Sequence, residues 1–129
     1  MIQEKSLAFA IRIVKLYKHI TEQKKEYVLS KQLLRSGTGI GALVKEAEHA
    51  QSKPDFVNKM NVALKEANET LYWLILMKET GYMQEEEFKS VYADAEELVK
   101  MLASIVKTTK MKLNKQSGSF QSNSMKLNK

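Results

Sequence analysis

Apolar residues along this chain recur at spacings of three and four and almost never alternate at two, so helices are predicted throughout and strands nowhere. Residues 3–23 form the first helix, with two apolar lines side by side. Leu7, Ile11, Val14 and Lys18 make one, and Phe9, Ile13, Leu16 and Ile20 the other. Together they give a face wider than a coiled-coil seam, wide enough to touch two neighbouring helices. The polar run QKKEYVL at 23–29 interrupts the pattern, and Ser30 is the expected N-cap of the next helix.

That second helix is predicted over residues 30–52. Leu33, Gly37, Ile40, Val44 and Ala47 keep one phase through the segment SGTGIGA at 36–42. A glycine costs about 1 kcal/mol in a helix interior, yet the period passes through Gly37 unbroken. Gly37 and Gly41 are therefore read as helix-packing positions where another backbone comes close. Pro54, the only proline, suits a first helical turn, with Ser52 or Lys53 as cap. A third helix follows over about 54–80, carrying Phe56, Met60, Ala63, Ala67, Thr70, Leu74 and Met77. Its stretch LYWLILM at 71–77 is apolar on nearly every side, which implies a second buried surface.

Phe88, Val91, Ala95, Leu98, Leu102, Ile105 and Thr109 mark a fourth helix over about 84–112. Periodicity is lost over NKQSGSFQSNSMKLNK, so residues 1–113 are expected to form the bundle and 114–129 a flexible C-terminal tail. Four long helices on short connections describe an all-α, antiparallel up-down-up-down four-helix bundle.

Composition narrows the chemistry. With no cysteine among 129 residues, disulfides, thiol nucleophiles and cysteine-ligated metals are excluded. No apolar run approaches the ~20 residues of a membrane span, and Lys15 and Lys18 interrupt any secretory core, so the expected location is the cytoplasm. The net charge of +6 is unevenly placed. Residues 1–97 carry 14 Lys plus Arg against 15 Asp plus Glu, whereas 98–129 carry seven lysines and no acid. Acids early and lysines late in a helix complement its dipole; attraction to a polyanion is the sharper reading.

Enzymatic constellations are missing. His19 and His49 lie on different helices. Glu46 and His49 superficially match the Glu-x-x-His element of di-iron bundles, but no second such element follows Glu66 or Glu69. Ser36 and Ser52 lack a nucleophile-elbow context. The GTGIGA segment has neither the Lys-Ser/Thr pair of a phosphate loop nor a preceding strand. No enzyme activity, metal or cofactor is expected. Trp73 is open to three readings: core, subunit contact or stacking platform.

An ordered set of motifs spans most of the chain: Gln-Leu-Leu-Arg-Ser-Gly-Thr at 32–38, Ile40-Gly41-Ala42, Glu46-Ala47, Asp55-Phe56, Ala63 to Ala67, Glu69-Thr70, Tyr72-Trp73-Leu74, Lys100-Met101-Leu102 and Ile105 to Thr108. In these it closely resembles the bacterial four-helix-bundle family encoded by intervening sequences of the 23S ribosomal RNA gene, sometimes labelled S23 ribosomal protein. It departs from that pattern at Gly39, where serine or threonine is commoner, and at Leu43, where asparagine is usual. The family is similar to the accessory variability protein of diversity-generating retroelements, a basic pentameric bundle that binds nucleic acid and partners a reverse transcriptase. The resemblance thus implies a homopentamer and a nucleic-acid or reverse-transcriptase-like partner.

Two functions follow as expectations. In the first, a non-enzymatic oligomer binds nucleic acid through Arg12, Lys15, Lys24, Lys25, Lys31, Arg35, Lys107, Lys110, Lys112 and Lys115. In the second, the assembly is structural or protein-binding with no polyanion role. Tyr72, Trp73 and Leu76 are the candidate oligomer interface in both.

Overall fold

Each apolar stripe becomes one helix. The computed structural model describes residues 1–127, with side-chain surroundings for residues 1–115; α1 covers Ile2–His19, α2 Leu29–Ala47, α3 Lys53–Glu79 and α4 Glu85–Leu127. Short connections make sequential helices antiparallel, giving an all-α up-down-up-down four-helix bundle. α2 packs on α1 and α3, and α3 on α4, while α4 meets α1 along a thinner seam, which leaves α1 and α3 diagonally opposed.

The core is continuous from end to end, with Ile13, Ile20, Leu33, Ile40, Leu74, Met77, Leu98 and Leu102 fully enclosed. Only one of the two apolar lines of α1 enters it. Phe9, Ile13, Leu16 and Ile20 are buried, whereas Leu7, Ile11 and Val14 keep 61%, 49% and 36% of their surface in water. α1 touches two neighbours, α2 and α4, as its wide face requires, but its second apolar line stays outside the core.

α2 passes through its glycines without a break. A Cβ at Gly37 would stand 2.9 Å from both Cγ1 and Cγ2 of Ile13, and one at Gly41 would stand 3.3 Å from the carbonyl oxygen of Ser6. These two positions let α1 lie against α2 at backbone distance. The helix stops at Ala47, five residues short of the predicted end.

Its start is capped differently from the Ser30 expectation. α1 runs on through a π-helical turn, Ile20–Lys24, and Lys25 takes a left-handed conformation (φ 56°). That reversal brings the buried Glu26 carboxylate under the first turn of α2, where it accepts from the amides of Val28 (3.0 Å), Leu29 (2.8 Å) and Ser30 (2.7 Å). Ser30 is buried, and its hydroxyl donates to the Glu26 carbonyl oxygen at 2.7 Å. Burial pushes the Glu26 carboxyl up, but the amide donors outweigh it and hold the carboxyl below its ordinary range.

Ser52 caps α3 by accepting from the Asp55 amide at 3.2 Å, with Pro54 in the first turn. At the other end Gly81, at φ +86°, closes a Schellman turn in which the Tyr82 amide reaches the Met77 carbonyl at 2.9 Å. The Lys78 ammonium then ties α3 to α4, 3.1 Å from Glu85 and 4.9 Å from the centre of the Phe88 ring.

α4 continues to Leu127, so the boundary drawn at residue 113 falls inside a helix. Propagating an existing helix gains one hydrogen bond per residue fixed, and the segment holds one glycine and no proline to stop it. Residues 128 and 129 of the expected tail lie outside the described residues.

Two outcomes are expected. Gly37→Ala should cost about 1–3 kcal/mol, because the enclosed Ile13 cannot yield. Gly39→Ala meets only Glu66 Oε2 at 3.5 Å and should gain about 0.5–1 kcal/mol of helix propensity. Urea midpoints moving the same way for both would refute the assigned packing. The lowered Glu26 value sets the second. Its stabilisation is fully present above the unfolded carboxyl pKa of about 4.3 and is lost as pH falls through the depressed folded value. Stability measured from pH 7 to 3 should drop more steeply for the parent than for Glu26→Gln; equal slopes would show that the cap's charge is immaterial.

Candidate functional site

The structure sorts the predicted basic residues into three groups. Arg12 and Arg35 are committed to structural ion pairs. Arg12 sits 2.6 Å from Asp94 Oδ2 and 2.7 Å from Ser90 Oγ, and with the Lys5–Glu97 pair it fastens α1 to α4. Arg35 reaches Glu66 at 3.1 Å and also pairs with Glu69, joining α2 to α3. Their charges are spent within the bundle.

A second group, Lys15, Lys24, Lys25 and Lys31, is exposed around the α1–α2 turn and pairs with no acid among the described residues. Antiparallel topology puts the start of α4 at the same end, and Lys15 and His19 share a small groove with Glu87. Glu22, Glu86 and Glu87 therefore offset these lysines.

Lys107, Lys110, Lys112 and Lys115 form the third group, at the opposite end, with Lys100 nearly two turns earlier. All five are exposed, none pairs with an acid among the described residues, and α4 itself holds no acid beyond Glu97. Lys110 borders a cleft with Pro54, Val57 and Asn61 at the start of α3. The ten predicted residues thus do not converge on one surface; the end of α4 is the stretch whose lysines have no acid alongside them on their own helix.

The interface candidates lie on the outer side of α3. Tyr72 keeps 58% of its surface exposed, and its ring meets Trp73 edge-on at 5.0 Å between centres. Trp73 is half-buried and donates through Nε1 to Glu69 Oε2 at 3.1 Å, so it braces the Arg35 network. Leu76 is half-buried, while Ile75, which the sequence reading did not single out, is 43% exposed. The outward line on α1 is Leu7, Ile11 and Val14, the second apolar line of that helix. Lys18 in that same line was the available signal, since a lysine seldom shares a line with core residues. Beside Leu7 a groove of about 520 Å³ opens between α1 and α2, walled by Ala10, Gly41, Ala42 and Val44.

Among the described residues no three His, Asp or Glu side chains gather as a metal site would require. Both histidines are exposed, at opposite ends of the bundle. Ser36 is enclosed and bonded to Thr70 Oγ1 at 2.9 Å, a hydroxyl pair that joins α2 to α3. No helix of the described chain is long and apolar enough to cross a membrane.

Comparison with known proteins accords with this architecture. A family model described as 23S rRNA-intervening sequence protein matches residues 1–104. A crystal structure of a protein of unknown function from the S23 ribosomal protein family of Bacteroides thetaiotaomicron VPI-5482 is 55% identical, with a TM-score of 0.82. The alignment covers 83% of this chain and 99% of that one. No curated protein matches the chain. The chain belongs to the 23S rRNA-intervening sequence protein family.

Proposed function

We propose that this family member is a non-enzymatic homo-oligomer of the cytoplasm that presents the lysine-bearing half of α4 to nucleic acid or to a nucleic-acid-processing protein. The observation that carries this reading is the row Lys100, Lys107, Lys110, Lys112 and Lys115, exposed and unopposed on a helix that projects its charge at one end of the bundle. Phosphate contacts of this kind release counterions and need no base readout. Each subunit offers few of them, so affinity depends on several copies acting together. The exposed apolar line on α1, with Tyr72 and Ile75 exposed on α3, supports that assembly, because isolated bundles rarely leave such surface in water. The resemblance supplies the number five.

A purely structural or protein-binding assembly is the second reading. Residues 1–97 favour it, since their charges nearly cancel and both arginines are consumed internally.

Binding to duplex DNA across a salt series separates the two. Replacing Lys107, Lys110 and Lys112 with glutamine should reduce the log–log slope by up to about three, at roughly 0.9 per phosphate contact. Arg35→Gln should lower thermal stability and leave the slope unchanged. No salt-dependent retention of duplex or single-stranded nucleic acid at low ionic strength would sink the first reading. Light scattering in line with size exclusion should give about 74 kDa for five chains of 14.8 kDa; a stable 14.8 kDa particle would refute assembly in either reading.

A further inference from the structure

We infer that the outer line of α1 docks, parallel and in a fixed register, on the outer line of α3 of a second copy, so that copies join head-to-tail. This rests on the oligomeric reading above and specifies its interface.

α1 and α3 are diagonal in the bundle, so their outer faces look in opposite directions. Each carries an exposed heptad line with the same layout and opposite charges. On α1 it reads Glu4, Ile11, Lys18, flanked by Leu7 and Val14; on α3 it reads Lys65, Tyr72, Glu79, flanked by Ile75. Seven residues are nearly two helical turns, so each trio stays in line. Among the described residues Glu4, Lys18 and Lys65 pair with nothing, and Glu79 has only a 3.8 Å contact with Lys78.

Placing Ile11 of one copy opposite Tyr72 of another in parallel brings Glu4 to Lys65 and Lys18 to Glu79. The antiparallel arrangement sets Glu4 against Glu79 and Lys18 against Lys65, which is repulsive at both ends. The groove beside Leu7 gives apolar side chains from the second copy a recess to enter.

Two different faces on opposite sides of the bundle make a heterologous contact, which joins copies head-to-tail and gives a ring only where the rotation between successive copies closes.

The test uses Ile11→Glu and Tyr72→Glu. Both positions are exposed, so each variant should keep its far-UV helicity while its mass falls to 14.8 kDa. Each retains one intact face; mixing them should give a 1:1 heterodimer of two 14.8 kDa chains and nothing larger. Separately, Lys65→Glu should weaken assembly roughly two- to five-fold per contact at low salt, and adding Glu4→Lys in the same chain should restore it. A monomeric parent would sink the oligomeric reading and this one together. An oligomeric parent whose mass survives both glutamate substitutions, whose monomeric variants fail to pair, or whose charge reversal is not rescued would overturn the interface alone.

Discussion

Helix α1 can lie against α2 only because residues 37 and 41 carry no Cβ, and that close approach governs much of what the molecule shows to solvent. With Ile13 seated on Gly37 and the Ser6 backbone against Gly41, the rotation of α1 about its own axis is fixed. Phe9, Leu16 and Ile20 then turn inward with Ile13, and Leu7, Ile11 and Val14 turn out. The same rotation brings Lys5 and Arg12 to the acids of α4, so the thin α1–α4 seam is closed by charge where apolar packing is sparse. A side chain at residue 37 would push α1 outward and disturb the core, the outer line and the seam together. The locally weak helix that three glycines produce is offset by the dense packing they permit.

How far this was legible in the sequence depended on whether the determining partner lay on the same helix. Stripes within one helix were readable at their centres: Met60, Ala63, Ala67, Thr70, Leu74 and Met77 on α3, and Val91, Ala95, Leu98 and Leu102 on α4, are buried as their period requires. At the stripe ends Phe56, Phe88, Ile105 and Thr109 are half-buried, and Val57 and Val106 are buried instead. The continuity of α2 was readable because an unbroken phase outweighs the cost of glycine. Choosing between the two lines of α1 was not, because the choice is made by Gly37 on another helix. Arg12 and Arg35 looked like surface cations for the same reason. Their carboxylate partners are 82 and 31 to 34 residues away in sequence, and spacing within a helix carries no trace of them. The Glu26 cap escaped notice because it depends on a π turn and a left-handed lysine that reverse the chain, features without a composition signal.

The charge that does no structural work is the clearest pointer to function, and its placement would gain meaning from the proposed assembly. α4 begins with Glu85, Glu86 and Glu87 and ends without acids, so it is polarised along its length. The dipole accounts for the sign of each end but saturates within the first and last turns; it does not call for lysines at 100 and 107, well inside a helix that runs to Leu127. In the proposed parallel docking every copy has the same polarity, so these lysines gather on one side of the assembly while the mixed charges of the α1–α2 turn occupy the other. Counterion release grows with the number of phosphates met at once. A few lysines per subunit, too few to hold nucleic acid singly at moderate salt, would become a repeated cationic edge once the outer line of α1 finds α3 of its neighbour. On this view the close approach at Gly37 acts on binding indirectly: it exposes the line that joins the subunits, and the joined subunits bring their lysines together.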